Sequence, residues 1–237
     1  MSLSTLQSHW DQLGKEDPFW AVLTDPSKRG GRWNPAEFFE TGLVEIDGIL
    51  DEIAAQNVPM NKGRALDFGC AVGRLSQAMA RHFQEVHGVD ISPSMLAHAN
   101  RLNQHPDRCH YHLNAESNLK LFPDRYFDFV YSPITLQHIE PKFEKLYLRE
   151  FFRVLKPGGV AAFQVLAAVG WRKYFPDVAA SLYRRLRHGK EAYISMFGLP
   201  PEEVRRIITG SGSRIVQERH KTTDSPRWES LRFITVR

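Results

Sequence analysis

The chain has 237 residues, 42% hydrophobic and 24% charged, with a formal net charge of +4. That length suits one α/β unit with some decoration and a full core. No run of roughly 18 apolar residues marks a membrane span, and the polar N-terminus lacks the apolar stretch of a signal peptide. Two cysteines, Cys70 and Cys109, build no disulfide framework and make a reducing, cytoplasmic setting the default. Ten histidines without ligand-like spacing beside cysteines or carboxylates predict no metal. Lys and Arg outnumber Asp and Glu two to one over residues 171–237. That basic third could meet nucleic acid, lipid or an anionic substrate, or simply be a solvated charged face.

Residues 1–60 read as an N-terminal extension and helix that dock on the main unit, residues 61–237. Trp10, Trp20 and Trp33 fall within the first 33 residues, and Ser27–Trp33 reads as an exposed turn. This stretch serves either as a clamp over a sheet edge or helix face, or as a lid with Arg32 and Trp33 nearest the site. Asn34 then caps a helix, with Pro35 at its first position and Glu37 placed to reach back as in a capping box. Phe39, Leu43, Ile46, Ile49, Leu50 and Ile53 form its apolar stripe.

Arg64–Phe68 reads as a short buried strand, followed by a turn with Gly69 and Gly73 and a helix carrying Leu75, Met79 and Phe83. A strand that ends in a small-residue turn opening a helix offers backbone N–H groups to a polar or anionic ligand. A dinucleotide fingerprint needs glycines at positions 1, 3 and 6, but Gly69, Ala71 and Arg74 stand there. Positions 1, 3 and 5 hold Gly69, Ala71 and Gly73, with Asp67 just before. This pattern resembles motif I of the class I S-adenosylmethionine-dependent methyltransferases, with Ala71 where the family usually has glycine. The resemblance implies that Asp67, Gly69, Cys70, Ala71, Gly73 and Arg74 form the cofactor turn.

A second strand, Glu85–Ser92, brings Asp90 to its tip, where a carboxylate accepts both ribose hydroxyls of an adenosine cofactor. Ser92 and Pro93 suit the cap and first position of the next helix, which leaves Asp90 for the ligand. Ile91 and Met95 would flank the adenine. A third strand, Cys109–Leu113, ends in Asn114, whose side-chain oxygen can take the adenine amino hydrogen bond for which the family uses Asp. Ala115 and Glu116 adjoin it. The fourth strand, Phe127–Tyr131, is followed by Ser132-Pro133-Ile134. There is no carboxylate here for a cation-dependent O-methyltransferase, and only half of the tetrad of base-modifying amino methyltransferases. His138, in Thr135–Ile139, is either a general base for a hydroxyl acceptor or a loop-ordering residue.

Lys142–Leu155 reads as a helix that Pro157 stops, with Gly158 and Gly159 turning into a fifth strand, Val160–Leu166. Residues 167–198 form an acceptor-side insert holding Trp171, Arg172, Lys173, Tyr174 and Phe175, a helix at about Val178–His188, and Tyr193, Met196 and Phe197. A further helix from Pro200 to Gly210 and two closing strands, Arg214–His220 and Ser230–Arg237, complete the chain.

The resemblance implies a Rossmann-like, doubly wound, seven-stranded, mostly parallel sheet with an antiparallel last strand. It also implies methyl transfer from S-adenosylmethionine, leaving S-adenosylhomocysteine, with no metal. The expected acceptor is a hydroxyl of a small molecule or a glycan. Two alternatives stand beside it: an RNA or protein methyltransferase using the basic C-terminal third, and a non-catalytic partner protein with this fold.

Overall fold

The computed structural model describes residues 2–168, 196–222 and 228–237. Two helices open it, α1 (Leu3–Glu16) and α2 (Pro18–Val22). Ser2 caps α1 by accepting from Thr5 N, and Asp17 caps α2 by accepting from Trp20 N. The turn after α2 is tied down too, since both Gly30 N and Gly31 N donate to Asp17 Oδ2. Then comes α3 (Pro35–Ala55), capped by Asn34 as the sequence predicts. Glu37 does not reach back to close a capping box. Lys28 Nζ lies 2.7 Å from its carboxylate, and that pair takes the charge instead. Phe38, fully buried, fills the place expected of Phe39, which is only half-buried.

The strands are β1 (Arg64–Phe68), β2 (Glu85–Asp90), β3 (Cys109–Leu113), β4 (Phe127–Ser132), β5 (Leu155–Ala168), β6 (Arg214–Thr222) and β7 (Trp228–Val236). Between them run α4 (Arg74–Met79), α5 (Pro93–Arg101), α6 (Pro141–Val154) and α7 (Pro201–Gly210). The sheet order is β3-β2-β1-β4-β5-β7-β6. Neighbours from β3 to β5 are parallel, and β7 runs antiparallel to both β5 and β6. The order reverses between β1 and β4. In open α/β sheets such a switch point opens a crevice at the carboxyl ends of the strands.

Period-two alternation gives the sheet two apolar faces. Leu66, Phe68, Phe163 and Phe233 pack with Leu148, Phe151 and Phe152 of α6 and Val204 and Ile208 of α7. Ala65, Val86, Phe129 and Ile234 pack with α3 and α4 on the other face. The strand-five boundary differs from expectation. β5 begins at Leu155, and Lys156–Gly159 bulge out between two paired positions, Phe127↔Leu155 and Phe129↔Val160. Contacts that hold the bulge include Lys156 Nζ, 2.8 Å from Asp128 Oδ2, Gly158 N donating to Arg237 O, and Arg237 N donating to Gly159 O. Gly158 at φ 77 supplies the backbone freedom. The predicted helix near Val178–His188 lies outside the described residues.

Candidate active site

The turn after β1 is built from left-handed backbone: Gly69 at φ 82, Ala71 at φ 46 and Gly73 at φ 82. Gly69 N and Cys70 N both donate to Val89 O, which fastens the turn to β2. There is no room for side chains at either glycine. A Cβ on Gly69 would come within 2.1 Å of Thr135 Oγ1, and one on Gly73 within 2.3 Å of the Tyr111 hydroxyl. Ala71 accepts a backbone conformation that favours glycine, and its N–H donates to Asp90 Oδ2 at 2.9 Å.

Asp90 Oδ1 accepts from Ser92 N at 2.8 Å, while Ser92 itself caps α5 through Met95 N. Two backbone N–H groups thus aim the Asp90 carboxylate. A carboxylate has about four lone-pair sites, so each oxygen keeps one for a ligand hydroxyl. Burial pushes the Asp90 pKa up, against the pull of the Ser92 and Ala71 N–H groups.

Asp90 lies on the wall of a cavity of about 390 Å³ at the carboxyl ends of β1, β2, β3 and β4. Of the residues singled out from sequence, Gly69, Ala71, Asp90, Ile91, Met95, Asn114 and His138 line it. Asn114 is shaped by its own loop, donating from Nδ2 to Asn118 O and accepting from Glu116 N. The rest lie off the lining. Ala115 and Glu116 are exposed, and the Glu116 carbonyl accepts from the Tyr147 hydroxyl. Ser132 is buried and donates to Phe68 O. Cys70 is buried, and that burial pushes its thiol pKa up, away from a reactive thiolate. Gly73 caps α4 beyond the lining, and Arg74 turns away into α3, 2.8 Å from Glu45.

Asp67 sits fully buried behind the turn, with Ser76 Oγ donating to Oδ2 at 2.6 Å and Oδ1 without a partner. Burial raises its pKa to about 7, while Ser76 and Arg74 pull the other way. A carboxyl raised this far holds, between about pH 4 and 7, a proton that the unfolded chain releases. Its contribution to stability therefore falls as pH rises through that window. Asp67→Asn removes this slope. In urea unfolding, the stability of the variant relative to the parent is expected to improve by about 2 kcal/mol between pH 5 and pH 8. An unchanged difference would contradict the buried, protonated carboxyl.

The far wall of the cavity comes from α1 and α2: Leu3, Leu6, Trp10, Ala21 and Val22, followed by Thr24. Of the two readings the sequence allows, clamp or lid, the lid reading puts Arg32 and Trp33 nearest the site, and neither lines the cavity. Trp33 packs edge-on against Phe38, and Arg32 is exposed. Gln137 and His138 line the cavity too, with the His138 ring edge-on to Trp10 at 5.3 Å between centroids. Of the predicted insert, Met196 lines the cavity and Phe197 N donates to Gln137 O at 2.7 Å. Trp171, Arg172, Lys173, Tyr174, Phe175 and Tyr193 lie outside the described residues. Among the described residues, no group of three or more His, Cys, Asp or Glu side chains could hold a metal ion.

Residues 66–163 match the model of a methyltransferase domain family. That match agrees with the class I S-adenosylmethionine-dependent methyltransferases that the sequence resembles. The matched stretch holds the cofactor turn, Asp90, Asn114 and His138. Phosphoethanolamine N-methyltransferase 2 of Caenorhabditis elegans is 38% identical over 96 residues, covering 40% of this chain and 22% of that protein. The 2-methyl-6-phytyl-1,4-hydroquinone methyltransferase of Synechocystis is 33% identical over 160 residues, covering 67% and 49%. The chain thus spans less than half the length of these curated relatives. The structure of magnesium protoporphyrin IX methyltransferase from Synechocystis, with bound S-adenosylhomocysteine, shares the fold. Its TM-score is 0.65 at 16% identity, over 99% of both chains.

Lining residues that the sequence reading did not single out include the α1 and α2 wall, Gln137 and Tyr147. A signal for α1 was present: Leu3, Leu6, Trp10 and Leu13 recur at helical spacing along one face.

Proposed function

We propose that this chain transfers a methyl group from S-adenosylmethionine to a hydroxyl of a small, largely apolar, uncharged acceptor. The observation that carries the reading is the make-up of the cavity wall. Asp90, Gly69 and Asn114 stand at the strand tips, and the apolar Leu6, Trp10, Val22, Ile134, Ile139 and Met196 share the same lining. The donor's chemistry fits the strand tips. The aimed carboxylate of Asp90 suits a ribose diol, Ile91 and Met95 offer an apolar slot for a base, and the crowded glycine turn allows close backbone approach. Bound S-adenosylmethionine would supply a methyl already activated on sulfonium. The chain's part is therefore to align donor and acceptor and to exclude water, which the α1 and α2 wall serves.

No Lys or Arg stands among the described lining residues. Of the two relatives named above, one acts by its name on phosphoethanolamine and the other on a phytyl hydroquinone. The apolar wall favours an acceptor of the second kind over a phosphorylated one or a glycan. In the basic C-terminal third, Arg205 pairs with Glu218, and Arg219 and Arg232 both pair with Glu52. That pairing gives the RNA and protein alternatives no support.

His138 would take the acceptor proton. With S-adenosylmethionine, a panel of phenolic and quinol hydroxyls, phosphoethanolamine and a short RNA separates these readings by mass spectrometry. The expected result is methylation of an apolar hydroxyl compound, with kcat about 100-fold lower in His138→Ala and S-adenosylhomocysteine affinity retained. Methylation of phosphoethanolamine or RNA alone, or an unimpaired His138→Ala, would refute the assignment.

A further inference from the structure

We propose that Gln137 is a positioning residue for His138: held through its amide oxygen by Gln164, it keeps His138 Nε2 unprotonated and ready for the acceptor's proton. The inference rests on the role given to His138 above. Gln164, half-buried on β5, donates from Nε2 to Gln137 Oε1 at 3.2 Å. An amide side chain has one carbonyl and one NH₂ end. Once Gln164 engages the carbonyl, the group that Gln137 turns to His138 is its NH₂, and that nitrogen lies 3.1 Å from His138 Nε2. A neutral imidazole carries one N–H and one lone pair. A donor facing Nε2 therefore selects the lone pair there and the proton on Nδ1.

Backbone bonds fix the pair on both sides. Phe197 N donates to Gln137 O at 2.7 Å, and His138 N donates to Thr135 O at 3.0 Å. Trp10 lies edge-on to the imidazole and limits its rotation. Gln137 and His138 both line the cavity. An acceptor hydroxyl is itself a donor, so it can take the place of the Gln137 N–H at Nε2 without a change of tautomer. Its proton then passes to Nε2, giving an imidazolium with N–H on both nitrogens. The freed oxygen pair becomes the nucleophile, and the ring later returns the proton to solvent.

The test is ¹⁵N NMR of histidine-labelled, unliganded protein, with kcat and KM measured alongside. His138 in the parent is expected to show the Nδ1–H tautomer. Gln137→Glu has no N–H to offer, so the tautomer should invert to Nε2–H, and kcat should fall at least tenfold with little change in S-adenosylhomocysteine affinity. Gln164→Leu should give a mixture of tautomers and an intermediate kcat. An Nε2–H tautomer in the parent, or an unchanged Nδ1–H signal in folded Gln137→Glu, would overturn the proposal. Inversion of the tautomer with kcat unaltered would leave the hydrogen-bond assignment standing and remove His138 from the reaction.

Discussion

Asp90→Ala is expected to weaken S-adenosylhomocysteine binding by about 100-fold, read as Kd by isothermal calorimetry. Two hydroxyls donating to a carboxylate contribute on the order of 3 kcal/mol together, and tenfold in Kd corresponds to about 1.4 kcal/mol. The substitution also strands two donors, because Ala71 N and Ser92 N both point at this carboxylate. The turn and the start of α5 then lose their common anchor. Asp90→Asn separates the two effects. It keeps the size of the side chain but turns an amide N–H toward one of those backbone donors, and it should fall between parent and alanine. A Kd for Asp90→Ala within threefold of the parent would show that the carboxylate holds the loop and not the ligand.

Among the described glycines Gly69 leaves the least room for a methyl, so Gly69→Ala should be strongly damaging. At φ 82 a residue with a Cβ is strained, at a cost of about 1–2 kcal/mol. The new methyl would also meet Thr135 at Oγ1, Cγ2 and Cβ, all within 2.6 Å. Thr135 is β-branched and cannot swing clear at χ1 without cost. Its carbonyl accepts from His138 N, so pushing it aside disturbs the turn that carries Gln137 and His138. The expected result is a loss of about 3 kcal/mol in urea unfolding, with S-adenosylhomocysteine binding abolished at accessible concentrations. A double-mutant cycle with Thr135→Gly should return the steric part and leave the backbone part. A Gly69→Ala protein within 0.5 kcal/mol of the parent in stability, ~0.5 being the ordinary scatter of harmless substitutions, would contradict the close packing described.

The sheet was readable in the sequence because its parallel strands are short apolar runs that stop at chemistry-bearing residues. Leu66 and Phe68 end at Gly69, Val89 at Asp90, and the third strand at Asn114. The glycine spacing by itself separates one cofactor class from another. Spacing does not say which way a side chain leaves a strand tip. Asp67 shares strand parity with Ala65 and therefore faces α4 and Ser76, not the cavity. Arg74 falls on the side of α4 that meets α3, where a Cβ on Gly42 would come within 2.6 Å of the Arg74 carbonyl. The wall made by α1 and α2 was harder to see. Its residues are distant in sequence from everything they meet, as when Asp11 receives Ser94 N and Gln7 donates to the Ile91 carbonyl. The Lys156–Gly159 bulge hides for the same reason, since its partners are Asp128 and Arg237.

On the proposed reading, a sulfur nucleoside fills the cavity at the sheet's switch point. The most direct measurement is calorimetric titration of the parent protein with S-adenosylmethionine, S-adenosylhomocysteine and NAD. One saturable site is expected for each of the two sulfur nucleosides, and no heat of binding with NAD. Binding of NAD alone, or of none of the three by folded protein, would contradict that reading.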